Sequence, residues 1–254
     1  MELLRINNLK VQVLKKIIIN DLSLTINEGE VHVIMGRNGS GKSTLVNALM
    51  GNEVYQVSGG NINFLKKDIT GFNTDERARM GIYLAMQNPP VIDGLSTAEL
   101  LRNNLSSRTE HFKLFNFIKE LETTATSLGI NNEMLHRSIN DGFSGGERKK
   151  NEILQLELLK PKLIILDEID SGVDIDSLKL IAEVLINYRL ENPETAILMI
   201  THHANFFKYL EPNYVHIMNN GELVKSGGVE LVHQVEKQGF EKTINCLMKD
   251  MVND

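Results

Sequence analysis

One stretch near the start of the chain has the residue types and spacing that phosphate binding requires: Gly36-Arg37-Asn38-Gly39-Ser40-Gly41-Lys42-Ser43. Its glycines allow backbone N–H groups to turn inward around a phosphate chain. Lys42 can then reach the terminal phosphates, and the hydroxyl of Ser43 can ligate Mg²⁺. The alternative is a glycine-rich turn that contains a lysine by chance.

The flanking segments favour the phosphate-binding interpretation. Residues 31–35 form a short apolar run typical of a strand, and residues 44–50 have a helical pattern that Gly51 ends. A helix that starts at Thr44 directs its partial positive charge at the phosphate site. Strand, glycine loop and helix therefore follow in the order of a P-loop.

A pair of carboxylates, Asp167 and Glu168, directly follows the apolar residues 163–166. Alone, such a pair is more often a solvated turn or a helix cap. In a chain with a P-loop it is typical of a Walker B strand, whose aspartate holds Mg²⁺ through water and whose glutamate activates the attacking water. We therefore predict that Asp167 binds the metal opposite Ser43 and that Glu168 is the catalytic base.

The segment Phe143-Ser144-Gly145-Gly146-Glu147 precedes this strand. Ser144 and Glu147 can form a capping box for the helix that follows. The same segment resembles the signature motif of the ATP-binding cassette (ABC) ATPases, and both interpretations can hold together. The resemblance implies that Ser144, Gly145 and Gly146 of one subunit meet the γ-phosphate held by the P-loop of another.

Other segments resemble further ABC motifs in the correct order: Gln87 the Q-loop, residues 171–174 the D-loop and Thr201-His202 the H-switch. Each is weak alone, since a glutamine at a strand end or a single histidine is usually an ordinary loop residue. The motif histidine directly follows the threonine, which selects His202 over His203. The family resemblance implies ATP and Mg²⁺ as cofactors. It implies catalytic roles for Lys42, Gln87, Glu168 and His202, metal ligation by Ser43, Gln87 and Asp167, and nucleotide binding by residues 36–44 with Ser144, Gly145 and Gly146.

The predicted fold is α/β: a P-loop NTPase (ABC ATPase) core with a mainly parallel sheet, an antiparallel β subdomain and an inserted α-helical subdomain. Short apolar strands alternate with helical patterns after residue 161, and the first 26 residues carry β-type patterns. We predict one ABC ATPase domain over residues 1–254. Its core comprises residues 1–88 and 161–254, and residues 89–160 form an all-helical insertion.

Several local features accompany this prediction. Thr74 is expected to cap a helix that ends near Gly81, and Ser96 to start another with a capping box. A hairpin is expected around Asn220-Gly221, and two terminal helices are expected on either side of Gly239.

Composition excludes several function classes. The chain has 254 residues, a net charge of −6 and one cysteine. The acidic balance argues against a nucleic-acid surface, and one thiol excludes an internal disulfide and a cysteine-based metal site within one chain. No basic-apolar leader and no apolar run of membrane-spanning length occurs, so we expect a cytoplasmic protein without direct membrane insertion, or a stromal one if a transit segment was removed.

Within the ABC family the chain resembles the SufC ATPases of the SUF iron-sulfur cluster assembly machinery over nearly its whole length. The resemblance is carried by residues 29–36, 142–155, 166–176, 212–216 and 224–227. Transporter cassettes usually begin the signature with leucine and end it with glutamine, where this chain has phenylalanine and glutamate. The resemblance implies scaffold partners of the SufB and SufD type and a transient, nucleotide-dependent head-to-tail homodimer.

Two alternatives stay open: the ATP-binding subunit of a membrane transporter, and a nucleic-acid-handling ATPase, which the acidic charge disfavours. Two departures from the family pattern matter. Arg37 stands where proline is usual, and residues 11–18 contain no aromatic side chain that could stack on adenine. We therefore expect loose base selectivity. We also expect Lys149 to pair with Glu168 or Asp170 when no partner is bound, or else to lie on a solvated basic face.

Overall fold

The computed structural model describes residues 1–86, 89–108, 111–169, 175–201, 207 and 210–253. The strands are β1 (Glu2–Val13), β2 (Lys16–Asn27), β3 (Val31–Met35), β4 (Gln56–Phe64), β5 (Lys67–Asp68), β6 (Ile82–Ala85), β7 (Ile92–Ser96), β8 (Ser138–Ile139), β9 (Leu163–Asp167), β10 (Ala196–Ile200), β11 (Tyr214–Asn219) and β12 (Glu222–Gly227). The helices are α1 (Lys42–Leu49), α2 (Thr74–Arg79), α3 (Thr97–Arg108), α4 (Leu114–Ser127), α5 (Asn132–His136), α6 (Gly145–Leu159), α7 (Ile175–Glu191) and α8 (Glu230–Asn253).

The first sheet is antiparallel and has the strand order β2-β1-β4-β5. Leu4 of β1 lies opposite Ile26 on one side and Phe64 on the other, and all three are fully buried. Apolar residues alternate along β1, which places one face of the sheet on the core. The predicted antiparallel β part is confirmed.

The second sheet has the order β12-β11-β3-β10-β9-β6, and every pair except β11–β12 is parallel. All five residues of β3 and all five of β10 are buried, as expected for parallel strands covered on both faces. The edge hairpin turns at Asn220 and Gly221, whose φ angles are 48° and 83°. The mainly parallel sheet and the hairpin are confirmed.

The register of the parallel strands fixes the position of the site. Ile200 of β10 pairs with Ile34 of β3 on one side and with Asp167 of β9 on the other. The carboxyl ends of these three strands therefore lie at one edge of the sheet. The P-loop follows β3 and the acidic pair ends β9, so the sheet itself brings them together.

The segment between β6 and β9 contains α3 to α6, but it is not all-helical as predicted. β7 and β8 form a two-stranded antiparallel sheet in which Ile92 pairs with Ile139 and Gly94 N donates to Ser138 Oγ at 3.0 Å. β8 has two residues, too few to show the alternation that identifies a strand in a sequence. The subdomain boundaries at 89 and 160 stay predictions.

The helix ends agree with the predicted caps, with one exception. Asn73, rather than Thr74, caps α2, because its side chain accepts from Glu76 N and Glu76 accepts from Asn73 N. The predicted capping box at Ser96 is confirmed by its exchange with Glu99. Gly239 interrupts α8 with φ 79° and ψ 161°, as the prediction of two helices on either side of it requires.

Three hydrophobic clusters hold the described part together. The first lies between the antiparallel sheet, α1 and one face of the parallel sheet, and the second lies between the other face of the parallel sheet, α7 and α8. The third is formed by α3 to α6. Tyr83 of β6 packs against both the second and the third cluster, so it joins the helical segment to the sheet.

Candidate functional site

The P-loop connects β3 to α1, which begins at Lys42. Gly41 precedes the helix with a φ of 110°, a conformation that residues with a Cβ rarely adopt. The first turn of α1 contains no acidic residue. Its N–H groups and the positive end of the helix dipole therefore face the loop with no carboxylate from the helix to neutralise them.

The backbone of the loop is packed tightly against the β11–β12 hairpin. Gly221 N donates to Ser40 O at 2.8 Å. A Cβ on Gly36 would lie 2.5 Å from Met218 O and 2.6 Å from Ser40 Oγ, so only glycine fits there. The predicted phosphate cradle thus depends on a hairpin far away in sequence.

Lys42 is 4% exposed. Its ammonium donates to Gly36 O at 2.8 Å and to Arg37 O at 3.2 Å, and it lies 3.9 Å from Glu168 Oε1. Burial lowers the pKa of Lys42, while the charges of Glu168 and Asp167 raise it. A buried cation held by carbonyl groups is well placed to bind an anion that enters the loop.

Glu168 follows the end of β9 in a left-handed conformation, with a φ of 48°. Its N–H donates to Ile200 O at 2.9 Å, which continues the ladder between β9 and β10 by one bond. A positive φ at a residue with a long side chain is uncommon and costs energy, so the surrounding structure must enforce it.

Asp167 is the residue whose environment best fits a cation. Its Oδ1 is buried and has no hydrogen-bond partner among the described residues. Burial and the neighbouring Glu168 raise the pKa of Asp167, and Lys42 opposes this shift. A buried carboxylate oxygen without a partner is costly, and a hard divalent cation would satisfy it.

A cavity of about 540 Å³ opens in front of the P-loop. It is lined by Val13, Ile18, Asn38, Gly39, Gly41, Lys42, Ser43, Thr44, Tyr55 and Glu168. The structure therefore brings most of the predicted P-loop residues and Glu168 to one cavity. Tyr55 was not predicted as a site residue, because it lies in the loop between α1 and β4 and no local pattern distinguishes it from a core-packing aromatic.

The signature residues lie elsewhere. Ser144 caps α6 with the predicted capping box, since its Oγ accepts from Glu147 N and Glu147 accepts from Ser144 N. Ser144, Gly145 and Gly146 are exposed. None of the three is among the described residues that line the P-loop cavity of the same chain.

Two charged side chains near these motifs, Arg37 and Lys149, have partners that we did not predict. Lys149 Nζ pairs with Glu152 Oε2 at 2.8 Å, one turn along the same helix. The expected ion pair with Glu168 is therefore wrong, because a nearer carboxylate on α6 binds the ammonium. The alternative partner, Asp170, lies outside the described residues. The guanidinium of Arg37 pairs with Glu241, which places α8 beside the outer edge of the P-loop.

Some predicted residues lie outside the described part of the chain: Gln87, Asp170, residues 171–174 and His202. Thr201 is described; it is fully buried, and its N–H donates to Ile34 O. In the described ranges, no group of three or more His, Cys, Asp or Glu side chains could hold a metal ion.

None of the helices in the described ranges is both long and apolar enough to span a bilayer.

The chain is similar in sequence to a known family and to several known proteins. A family model described as "ABC transporter" matches residues 19–171. "Vegetative protein 296" of Bacillus subtilis is 44% identical over 241 residues, which are 94% of this chain and 92% of that protein. "Probable ATP-dependent transporter ycf16" of Cyanophora paradoxa is 42% identical over 94% of each chain.

Among solved structures, MJ1267, an ATP-binding cassette of an ABC transporter, aligns with a TM-score of 0.71 at 26% identity, over 94% of this chain and 96% of that one. Fold and sequence similarity lead to the same family. The chain belongs to the ABC transporter family of ATPases.

Proposed function

We propose that this ATPase hydrolyses ATP at composite sites formed by two copies arranged head to tail. One observation carries the proposal: the exposed signature at the start of α6 does not line the P-loop cavity of its own chain. A capped helix N-terminus with exposed glycines is a ready anion site. The γ-phosphate held by one P-loop would then be met by Ser144, Gly145 and Gly146 of the other copy.

Within each site we assign roles from position and chemistry. The residues of the P-loop cradle the phosphates, and Lys42 stabilises the charge that develops on them. Ser43, Gln87 and Asp167 would hold Mg²⁺, which supplies further neutralisation of phosphate charge when bound. Glu168 orients and deprotonates the attacking water. For Gln87 and His202, which lie outside the described residues, the role is proposed from the family resemblance alone, His202 acting at the γ-phosphate.

Mixing two inactive variants tests this arrangement. Lys42→Ala disables a P-loop, and Ser144→Arg disables a signature. A mixed head-to-tail dimer keeps one site in which both parts are intact, so the mixture should recover activity that neither variant has alone. The recovery should be about a quarter of wild-type activity if all dimer combinations form equally and the sites act independently. If each site were built within one chain, no mixture of the two variants should recover ATPase activity.

We further propose that the ATPase drives conformational change in a scaffold of the SufB and SufD type during iron-sulfur cluster assembly, in the cytoplasm or an organelle stroma. The support is the signature that runs from Phe143 to Glu147 and into residues 148–155, together with the Walker B segment 166–176. The second candidate function is the ATP-binding subunit of a membrane transporter. The word "transporter" in the name of the Cyanophora relative favours it.

We propose that either partner binds an open groove of about 960 Å³. It is lined by residues 51–54 after α1, by residues of α2 and by Leu100, Asn103, Asn104 and Ser107 of α3. A partner seated there touches both the P-loop helix end and the helical segment. Any change in the position of the P-loop helix relative to the helical segment would therefore be transmitted to the partner.

The partner class is tested by covalent capture from the groove. A photo-crosslinking residue at Val54, which is 60% exposed, should capture the partner in cells, and one at the exposed Leu190 on α7 is the matched control. Capture of a soluble scaffold protein supports the SUF function. Capture of a multi-span membrane protein would establish the transporter function in its place.

A further inference from the structure

Arg77 of α2 is a buried cation that the proposed chemistry does not use. It is 1% exposed and donates to Ala48 O at 2.7 Å and to Leu49 O at 2.9 Å. These are carbonyls of the last turn of α1, the helix that starts at Lys42. Two further bonds, to Thr70 O and Phe72 O at 2.9 Å each, hold the guanidinium in place.

Arg77 therefore caps the P-loop helix from behind. The last carbonyls of a helix lack partners within the helix, and a positive charge near them is favoured by the helix dipole. Burial lowers the pKa of Arg77 to about 10, so the group stays charged at neutral pH. No carboxylate forms an ion pair with it within the described ranges, and its bonds go to backbone oxygens.

Arg108, the last residue of α3, makes the same kind of contact with two other helices. It donates to Leu159 O at 2.7 Å, at the end of α6, and to Ala78 O at 2.9 Å, near the end of α2. α6 is the helix whose first turn carries the signature. Arg108 thus joins the end of the signature helix to the end of the helix that bears Arg77.

We propose that Arg77 and Arg108 are positioning residues that together fix the signature helix relative to the P-loop helix of the same chain. The connection runs from α1 through Arg77 to α2, and from α2 through Arg108 to α6. Each link is a charge-assisted hydrogen bond to the end of a helix, and such bonds are about twice as strong as neutral ones. We call the two side chains the arginine relay.

The relay matters because a head-to-tail dimer requires the P-loop and the signature of each chain at a set separation. In that respect the inference rests on the proposed function. The relay also lies next to the proposed partner groove, since Ala78, whose carbonyl accepts from Arg108, and Ser107 both line it. A partner bound there can shift the relay and so change the position of the signature.

The test compares Arg108→Met and Arg108→Lys with the control Arg102→Met, which removes an exposed arginine from the same helix. Arg108→Met should lower kcat about tenfold and raise the protein concentration needed for ATP-driven dimerisation by a similar factor, because charge-assisted bonds to two helix ends are lost. KM for ATP should stay within about twofold, since Arg108 does not touch α1. Arg108→Lys should recover part of kcat, and Arg102→Met should behave like the wild type.

Arg77→Lys, chosen because Arg77→Met risks misfolding, should instead raise KM, since it loosens the P-loop helix itself. An Arg108→Met variant with a lowered Tm but unchanged kcat and dimerisation would show that the relay only stabilises the fold. If Glu168→Gln does not dimerise with ATP and Mg²⁺, the dimer proposal fails, and the catalytic role of the relay fails with it. If Glu168→Gln dimerises but Arg108→Met leaves kcat and dimerisation unchanged, the relay fails by itself.

Discussion

The ammonium of Lys42 lies 3.9 Å from the carboxylate of Glu168, across the cavity edge formed by the P-loop and the end of β9. The two groups that would act on the terminal phosphate therefore face each other. Lys42 is also held by two carbonyls of its own loop. Phosphate oxygens that enter the loop would take over the ammonium and leave Glu168 to interact with water.

Lys42→Ala should abolish hydrolysis and most binding of the γ-phosphate. The substitution removes the cation that compensates charge in the transition state, an effect worth several kcal/mol. Steady-state ATPase measurements on the purified variant check this, with the exposed Lys10→Ala as the matched control. Turnover near the wild-type rate in Lys42→Ala would show that the loop binds phosphate without its lysine.

Glu168→Gln should keep ATP bound and stop its hydrolysis. The amide preserves the size of the side chain but cannot accept a proton from water. Glutamine also suits the left-handed backbone no worse than glutamate, so the turn after β9 should persist. ATP retained on the protein after desalting, with no phosphate release, is the expected result. Normal turnover would mean that another group is the base.

Base recognition should be loose. Residues 11–18 contain no aromatic, and a stacking platform is worth about 1–3 kcal/mol where it exists. GTP should therefore compete with ATP within about tenfold in a binding assay. The aromatic ring that does line the cavity is Tyr55. Exclusive ATP binding that Tyr55→Ala relaxes would overturn the prediction and assign adenine recognition to that residue.

Stability should depend on pH through a buried chain of hydrogen bonds at the edge of the parallel sheet. His32 Nε2 lies 2.9 Å from Glu30 Oε2, His32 Nδ1 lies 3.0 Å from His216 Nε2, and His216 Nδ1 lies 2.7 Å from Ser226 Oγ. One pattern of neutral tautomers satisfies every link: each imidazole donates from Nε2, and Ser226 O–H donates to His216. Protonation of His216 would turn its Nδ1 from an acceptor into a donor, so Ser226 O–H would have to rotate and accept, and a positive charge would be buried beside His32.

Burial and the neighbouring His32 lower the pKa of His216 from 6.5 to about 4. The folded state therefore resists protonation, and this contribution to stability is full above pH 6.5 and is lost as the pH falls towards 4. The free energy of unfolding should drop by about 1.4 kcal/mol per pH unit in that range. Denaturant titrations at several pH values measure it. His216→Gln should flatten the dependence, whereas His136→Gln, at an exposed site, should not.

The sequence predicted those features that local patterns encode. Glycine spacing, the short buried strands and the capping boxes at Ser96 and Ser144 all depend on neighbouring residues, and each appears where expected. The position of the P-loop and the acidic pair at one edge of the sheet also follows from the sequence, because the carboxyl ends of parallel strands meet there. Asn73, and not Thr74 as expected, is the N-cap of α2. Asparagine and threonine are both good N-cap residues, and only the backbone conformation decides which of the two occupies that position.

Features that depend on distant contacts could not be predicted. Nothing next to Arg77 in the sequence shows that its guanidinium enters the end of α1. The Lys149–Glu152 pair is a different case, because its i,i+3 spacing on a predicted helix is a local signal that the expected pair with Glu168 overlooked. Tyr55 reaches the cavity only because the loop after α1 folds back on the first core cluster. Arg77 and Tyr55 became recognisable only when the packing was known.

The central claim is that ATP joins two copies through the signature of one and the P-loop of the other. The most direct measurement is the mass of Glu168→Gln by sedimentation with and without ATP and Mg²⁺. We expect one chain without nucleotide, two chains with it, and one chain again when Ser144→Arg is added to the same variant although ATP still binds. A Glu168→Gln protein that is saturated with ATP yet sediments as a single chain, beside an active monomeric wild type, would contradict the account.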